Sequence, residues 1–216
     1  KNLSSSIWRM MKRGIVLLIA LTLCFGSGEK LHMDVYIESI CGDCHRFVAN
    51  ELKFIALHPE LLDYVDLDLH IFGKAHIIDA SEPRFSCQFG EPGCVGNRAL
   101  GCIYHHSTSF YDAVRVMECM YENRLYSETS IHACYAKFGL NSRDAVTCFK
   151  GSEANELLLE AGKQTPILRW VPGFKTDGDV RLDTRNVVNV ICASIQGEKP
   201  SVCHQTKHTV GMDAEL

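Results

Sequence analysis

The chain has 216 residues, 46% of them hydrophobic, and 22 Lys and Arg against 26 Asp and Glu leave a formal charge of -4. Such a composition supports one domain with a real core and excludes a fibre or a disordered chain. With its cations scattered rather than striped, it offers no basic field for nucleic acid.

In chain order, Arg9, Lys12 and Arg13 precede an apolar run over 15–25, and Gly26, Ser27 and Gly28 supply small residues for cleavage. Residues 1–28 therefore read as upstream residues and a secretory signal peptide, with translation starting at Met10 or Met11. The run is about half the roughly 20 residues that cross a bilayer, so no stable membrane insertion is expected. Of the eleven cysteines, the signal removes Cys24 and leaves ten, an even number that suits disulfide pairing in an oxidising compartment. Residues 31–37 alternate apolar and polar, the period of a strand with one buried face. From Cys44 the period changes: Phe47, Val48, Leu52, Ile55 and Ala56 share one helical face. Cys41-Gly42-Asp43-Cys44 sits at the junction, two thiols one turn apart where free backbone N–H groups and the helix dipole favour a thiolate.

Pro59 ends or interrupts that helix, and the alternation returns over 65–71, so strand, helix and strand form a unit with a parallel pair. Residues 81–101, rich in Gly, Pro and Cys, read as a long cross-linked loop. Residues 107–162 turn helical, with Gly139 as a stop and Ser142 and Ser152 as caps. Residues 165–171 read as a strand opened by Pro166, and Asp177-Gly178 as the turn into 180–182. A last helix from Asp183 or Thr184 carries Val187, Val188, Ile191 and Ile195 inward. Cys192 and Cys203 flank its end and a Gly197/Pro200 turn, which makes them the one disulfide candidate the spacing supports. The domain is placed at 29–203, its helical insertion at about 81–162, and a flexible tail at 204–216.

This order, with CxxC at the first helix, resembles the thioredoxin fold: α/β, thioredoxin-like, with an inserted disulfide-linked helical subdomain. The stretch from Cys87 to Cys102 resembles the CQHGxxECxxNxxxxC signature of the gamma-interferon-inducible lysosomal thiol reductase family, matching at Cys87, Gln88, Gly90, Cys94, Asn97 and Cys102. The resemblance runs from about residue 31 to Cys203. It implies a thiol reductase acting on disulfide-containing protein substrates, secreted or lysosomal, in which Cys41 attacks and Cys44 resolves. An external thiol resets the enzyme and no cofactor is bound. It also implies a cis proline facing the dithiol, a role given to Pro166, with Thr165 offering its backbone to the substrate. Phe89 and Gly93 stand where the signature has His and Glu, and a structural role for both positions leaves the redox chemistry unaffected.

Other readings use the same residues. A secreted, disulfide-stapled binding protein can carry a purely structural CxxC, and an oxidase or isomerase shares the dithiol. Cys41 to His45 also matches the CxxCH of covalent haem, but the motif starts a helix after a core strand and eight other cysteines crowd the chain. Zinc lacks a second CxxC, and the ten histidines show no HExxH, so no metal is assigned. The Asn2 sequon precedes the signal, which leaves secretion as open as lysosomal delivery. Oligomeric state is not set by the sequence.

Overall fold

The computed structural model describes residues 29–176, 179–181 and 186–205. The expected signal peptide, the Asp177-Gly178 turn, the helix start at Asp183 or Thr184 and the tail beyond 205 lie outside the described residues.

Strand β1 (Leu31–Ile37) is central in a four-stranded sheet. It pairs in parallel with β2 (Val65–Ile71), Leu31 opposite Val65 through Ile37 opposite Ile71, and antiparallel with β5 (Gly173–Thr176), Met33 opposite Thr176. Strand β6 (Asp179–Arg181) closes the far edge. Alternation puts Met33, Val35 and Ile37 on one face, where they join Val48, Leu52, Ile55, Met117 and Met120 in one buried cluster. The connection from β1 to β2 begins with helix α1 (Gly42–Phe47). It continues through a π-helical stretch (Val48–Leu52) into α2 (Lys53–Leu57), and Pro59 opens a 3-10 turn (Pro59–Asp63).

The long loop expected over 81–101 is instead the end of a small hairpin, β3 (His76–Asp79) with β4 (Arg84–Ser86), followed by helix α3 (Gly90–His105). The misleading residues were Gly90 and Pro92. Gly90 enters at φ +64, and Pro92 lies in the first turn, where its missing N–H would have no helical acceptor. Four further helices complete the block: α4 (Phe110–Asn123), α5 (Glu128–Lys137), α6 (Arg143–Lys150) and α7 (Glu153–Gln164). Ser109 caps α4 by accepting the Asp112 N–H at 3.1 Å, and Ser127 caps α5 in the same way from Ser130 at 3.2 Å. Disulfides join Cys102 to Cys148 and Cys119 to Cys134 inside the block, Cys87 to Cys94 at its entry, and Cys192 to Cys203 between α8 (Val187–Ser194) and α9 (Val202–Gln205).

The strand expected over 165–171 is an irregular segment. Thr165 caps the end of α7, its hydroxyl donating to the Ala161 carbonyl at 2.7 Å, and Pro166 follows as a helix stop. The buried residues of this segment, Leu168 and Val171, are three apart rather than two, Ile167 is 99% exposed, and the strand proper starts only at Gly173.

Candidate active site

Beyond β1 the chain turns through Glu38, Ser39 and Ile40, the last at φ +64, and delivers Cys41 to the N-cap of α1. There its Sγ accepts the Cys44 N–H at 3.4 Å, one of the amides the helix start leaves without an internal partner. Cys44, one turn on, falls on the inner face of α1 and is fully buried, and its Sγ accepts the Glu38 N–H at 3.5 Å. Among the described residues these are the two free cysteines.

Their environments push the two thiols apart. A hydrogen bond from Cys44 to Cys41 brings the Cys41 pKa down from 9.0 to about 7. Partial burial works against this, the Cys44 and Asp43 amides assist it, and the negative charge of Glu38 opposes it. Burial pushes the Cys44 thiol well above its ordinary value, and its hydrogen bond to Cys41 raises it further. The charge of Asp43 is paired with Arg46 on the outer face of α1. His45 stacks on Tyr121, ring planes 3° apart and centroids 5.5 Å apart.

The three residues before Cys41 are held from the helical block. Asn97 of α3, 2% exposed, accepts the Ser39 N–H at 2.8 Å through Oδ1 and donates to the Phe72 carbonyl at 3.3 Å through Nδ2. The Ser39 hydroxyl donates to the Gly93 carbonyl at 2.9 Å. Tyr121 of α4 donates to the Glu38 carbonyl at 2.8 Å, and Ile40 donates its N–H to the Tyr126 hydroxyl at 3.3 Å. Gly96 permits the approach, since a Cβ there would land on the Ser39 hydroxyl and 3.1 Å from the Tyr126 ring. The signature stretch is thus the clamp on the loop that presents the dithiol. Its three cysteines sit in two disulfides, Cys87 with Cys94 and Cys102 with Cys148. Gln88 is exposed, and Gly93 is buried against Phe89 and Cys87.

Thr165 and Pro166 do not face the dithiol. They line a cavity of about 530 Å³ with Phe72, Lys74, Gln88 and Ile167. The cis peptide bond is Val171-Pro172, and the Val171 carbonyl lies 3.9 Å from the Cys41 sulfur. The proline beside the dithiol is therefore the one that directly precedes β5, not the one that ends α7. An apolar residue, a proline and then the strand residues was the sequence signal available for it. Nothing local pointed to Glu38, Tyr121 or Tyr126, whose roles depend on contacts across the fold.

The family model for gamma interferon inducible lysosomal thiol reductase matches residues 32–138, a span that takes in the dithiol, Asn97 and both clamping tyrosines. Over these residues the chain is similar to this thiol reductase family. GILT-like protein 1 of Drosophila melanogaster is 27% identical over 202 residues, 83% of this chain and 80% of that protein. The gamma-interferon-responsive lysosomal thiol protein of Arabidopsis thaliana is 27% identical over 218 residues, covering 94% and 89%. Gamma-interferon-inducible lysosomal thiol reductase of Mus musculus is 24% identical over 181 residues, covering 80% and 71%. Among solved structures, DsbA of Pseudomonas aeruginosa aligns with a TM-score of 0.51 at 13% identity, over 76% of this chain and 82% of that one. DsbA of Xylella fastidiosa gives 0.51 at 15% identity, over 76% and 86%. The fold of this chain is thioredoxin-like.

Proposed function

We propose that this protein reduces disulfide bonds in protein substrates by thiol–disulfide exchange at Cys41 and Cys44. The Cys41 thiolate attacks one sulfur of the substrate disulfide, forming a mixed disulfide and releasing the other substrate sulfur as a thiolate, which takes up a proton. Cys44 loses its proton and attacks Cys41, closing the Cys41–Cys44 bridge and releasing the second substrate thiol. Two electrons pass from the dithiol to the substrate, and an external dithiol or two monothiols return them. The chemistry needs no bound cofactor. Val171, whose backbone stands beside the Cys41 sulfur, is the residue we assign to substrate contact in place of Thr165.

The observation that carries this reading is the split between the two sulfurs, one half-buried with a pKa brought to about 7, the other sealed and pushed up. It also favours reduction over oxidation. A strongly depressed thiol, about 3.5 in the oxidising members of this fold, stabilises the dithiol and makes the disulfide a strong oxidant, whereas values of about 7 accompany reductants. Four disulfides and the signal-like N-terminus support an oxidising or endolysosomal compartment, secreted or lysosomal.

Insulin reduction tests it. Cys41→Ser abolishes turnover with the fold unchanged, while Cys44→Ser accumulates a mixed disulfide that gel mobility under non-reducing conditions reveals. Retained turnover in Cys41→Ser overturns the assignment.

A further inference from the structure

The sheet face opposite Met33, Val35 and Ile37 is polar, although it turns toward α3 and α7. Strand β1 presents His32, Asp34 and Tyr36 there. The parallel register sets Asp66, Asp68 and His70 of β2 directly across from them, and Lys175 of β5 opposite Asp34 on the other side. Like charges directly across a strand pair repel, and Asp34 and Asp68 are such a pair, with Asp66 one position along the same face. The ammonium of Lys175 meets this cluster 4.0 Å from Asp34 Oδ2, which leaves Oδ1 on the side of the histidines.

We propose that this face binds a divalent transition-metal ion, with His32 Nε2, Asp34 Oδ1 and an Asp68 carboxylate oxygen as ligands and a further position open to water. The ligand atoms of these three residues lie within 4.8 Å of one another, and His32 Nε2 stands 3.6 Å from Asp34 Oδ1. A tetrahedral site with bonds of about 2.0–2.2 Å has edges of about 3.3–3.6 Å, so Asp68 closes the set by a small side-chain rotation.

The groups behind the ligands are placed as a metal site needs them. Asp66 Oδ2 lies 4.0 Å from His32 Nδ1, the nitrogen that carries the proton when Nε2 is bound to a metal. His70 Nε2 holds Asp34 Oδ1 at 2.7 Å and is itself stacked on Tyr36, centroids 5.3 Å apart. That oxygen keeps a second lone pair for the ion. A cavity of about 570 Å³, lined also by Tyr104, Glu160 and Gln164, gives room for the ion and its water. The mixed imidazole and carboxylate donors suit zinc and its neighbours better than calcium or magnesium.

Zinc titrated calorimetrically at neutral pH into the oxidised protein, its Cys41–Cys44 bridge closed so that neither thiol competes, binds one equivalent. His32→Ala and Asp68→Asn, both at exposed side chains whose loss leaves the core intact, each weaken binding at least tenfold, about 1.4 kcal/mol. His106→Ala, in the separate His105, His106 and Glu153 cluster, leaves it unchanged. Thermal midpoints of the variants without metal confirm that they are folded. Absence of binding up to millimolar zinc, or an affinity that His32→Ala and Asp68→Asn leave intact, overturns the proposal. So does loss of binding in His106→Ala alone, which would put the ion at the other cluster.

Discussion

The Cys41 pKa of about 7 is a balance in which the hydrogen bond to Cys44 lowers it and partial burial and Glu38 raise it. Two expectations follow from that balance. The reactive species is the thiolate, so alkylation of Cys41 rises with pH up to about 7 and then levels, and falls roughly tenfold for each unit below it. A midpoint near 9 in a pH series of alkylation rates would mean that neither the Cys44 hydrogen bond nor the helix-start amides act on this thiol. The second expectation concerns Glu38, 2% exposed, whose own pKa is raised by burial. Its Oε2 accepts the Lys74 N–H at 3.0 Å while its Oε1 is buried without a hydrogen-bond partner. In its charged form it opposes thiolate formation at both cysteines. Glu38→Gln keeps the shape and the Lys74 contact, removes the charge, and shifts the Cys41 midpoint to lower pH. An unchanged or higher midpoint in the same alkylation series would show that the carboxyl is neutral in the working range.

At the scale of elements, α3 and the β1–α1 turn are one unit, and the test is to separate them. Asn97→Ala leaves the buried Ser39 N–H and Phe72 carbonyl without partners, at about 1–3 kcal/mol for each unmet group. Gly96→Ala puts a methyl where the Ser39 hydroxyl stands, an overpacking of about 1–3 kcal/mol. Both are expected to lower the urea midpoint and, because Ser39 leads directly to Cys41, to slow insulin reduction more than a control of equal instability, such as Leu158→Ala in the small cluster around Phe72 and Ala75. Equal slowing by the control would reduce the clamp to ordinary packing. This unit also marks what the sequence could and could not display. Strand β1, helix α1 and strand β2 were legible because their periods are local: alternation over 31–37 and 65–71, and a helical face from Cys44 to Ala56. The clamp was not, since Asn97 and its Ser39 partner are 58 residues apart and no pattern at either end encodes the pairing. Helix α3 was hidden by Gly90, Pro92, Gly93 and Gly96, residues that usually break helices but here form a first turn and a close approach. Strand β5 was misplaced because the apolar residues Ile167, Leu168, Trp170 and Val171 after Pro166 read as a strand opened by proline. Its true position is fixed by pairing with β1, where Tyr36 meets Gly173 and Met33 meets Thr176. The error moved the site proline six residues, from Pro172 to Pro166, and with it the residue placed beside Cys41 from Val171 to Thr165.

For the molecule as a whole, a disulfide reductase with four disulfides among its described residues must keep them from its dithiol, and burial does so unevenly. Cys102 and Cys148 are at most 1% exposed and join α3 to α6, Cys119 and Cys134 lie inside the α4–α5 hairpin, and Cys192 and Cys203 are buried under the last helix. Cys87 is the exception, partly open at the entry to α3 with Cys94 buried behind it. None of the four ties the central strands to the helical block, so that junction rests on the shared core around Met33, Ile55 and Met117 and on the clamp. Loop-closure entropy ranks what each bridge contributes: about 4 kcal/mol for the 46-residue separation of Cys102 and Cys148, against about 2.4 kcal/mol for the 7 residues between Cys87 and Cys94. Exposure and contribution therefore run in opposite order. Under a rising concentration of dithiothreitol, mass spectrometry after alkylation is expected to find Cys87–Cys94 open first, with a small loss in urea midpoint, and Cys102–Cys148 open last, together with global unfolding. The paired variant Cys102→Ala/Cys148→Ala is expected to lose more stability than Cys87→Ala/Cys94→Ala. The shorter bridge closes the loop that leads into Gly93 and Asn97, so its removal is expected to slow insulin reduction out of proportion to its stability loss. If the Cys87→Ala/Cys94→Ala protein turned over substrate at the full rate, the bridge would be a staple for its own loop and the clamp would hold Ser39 without it.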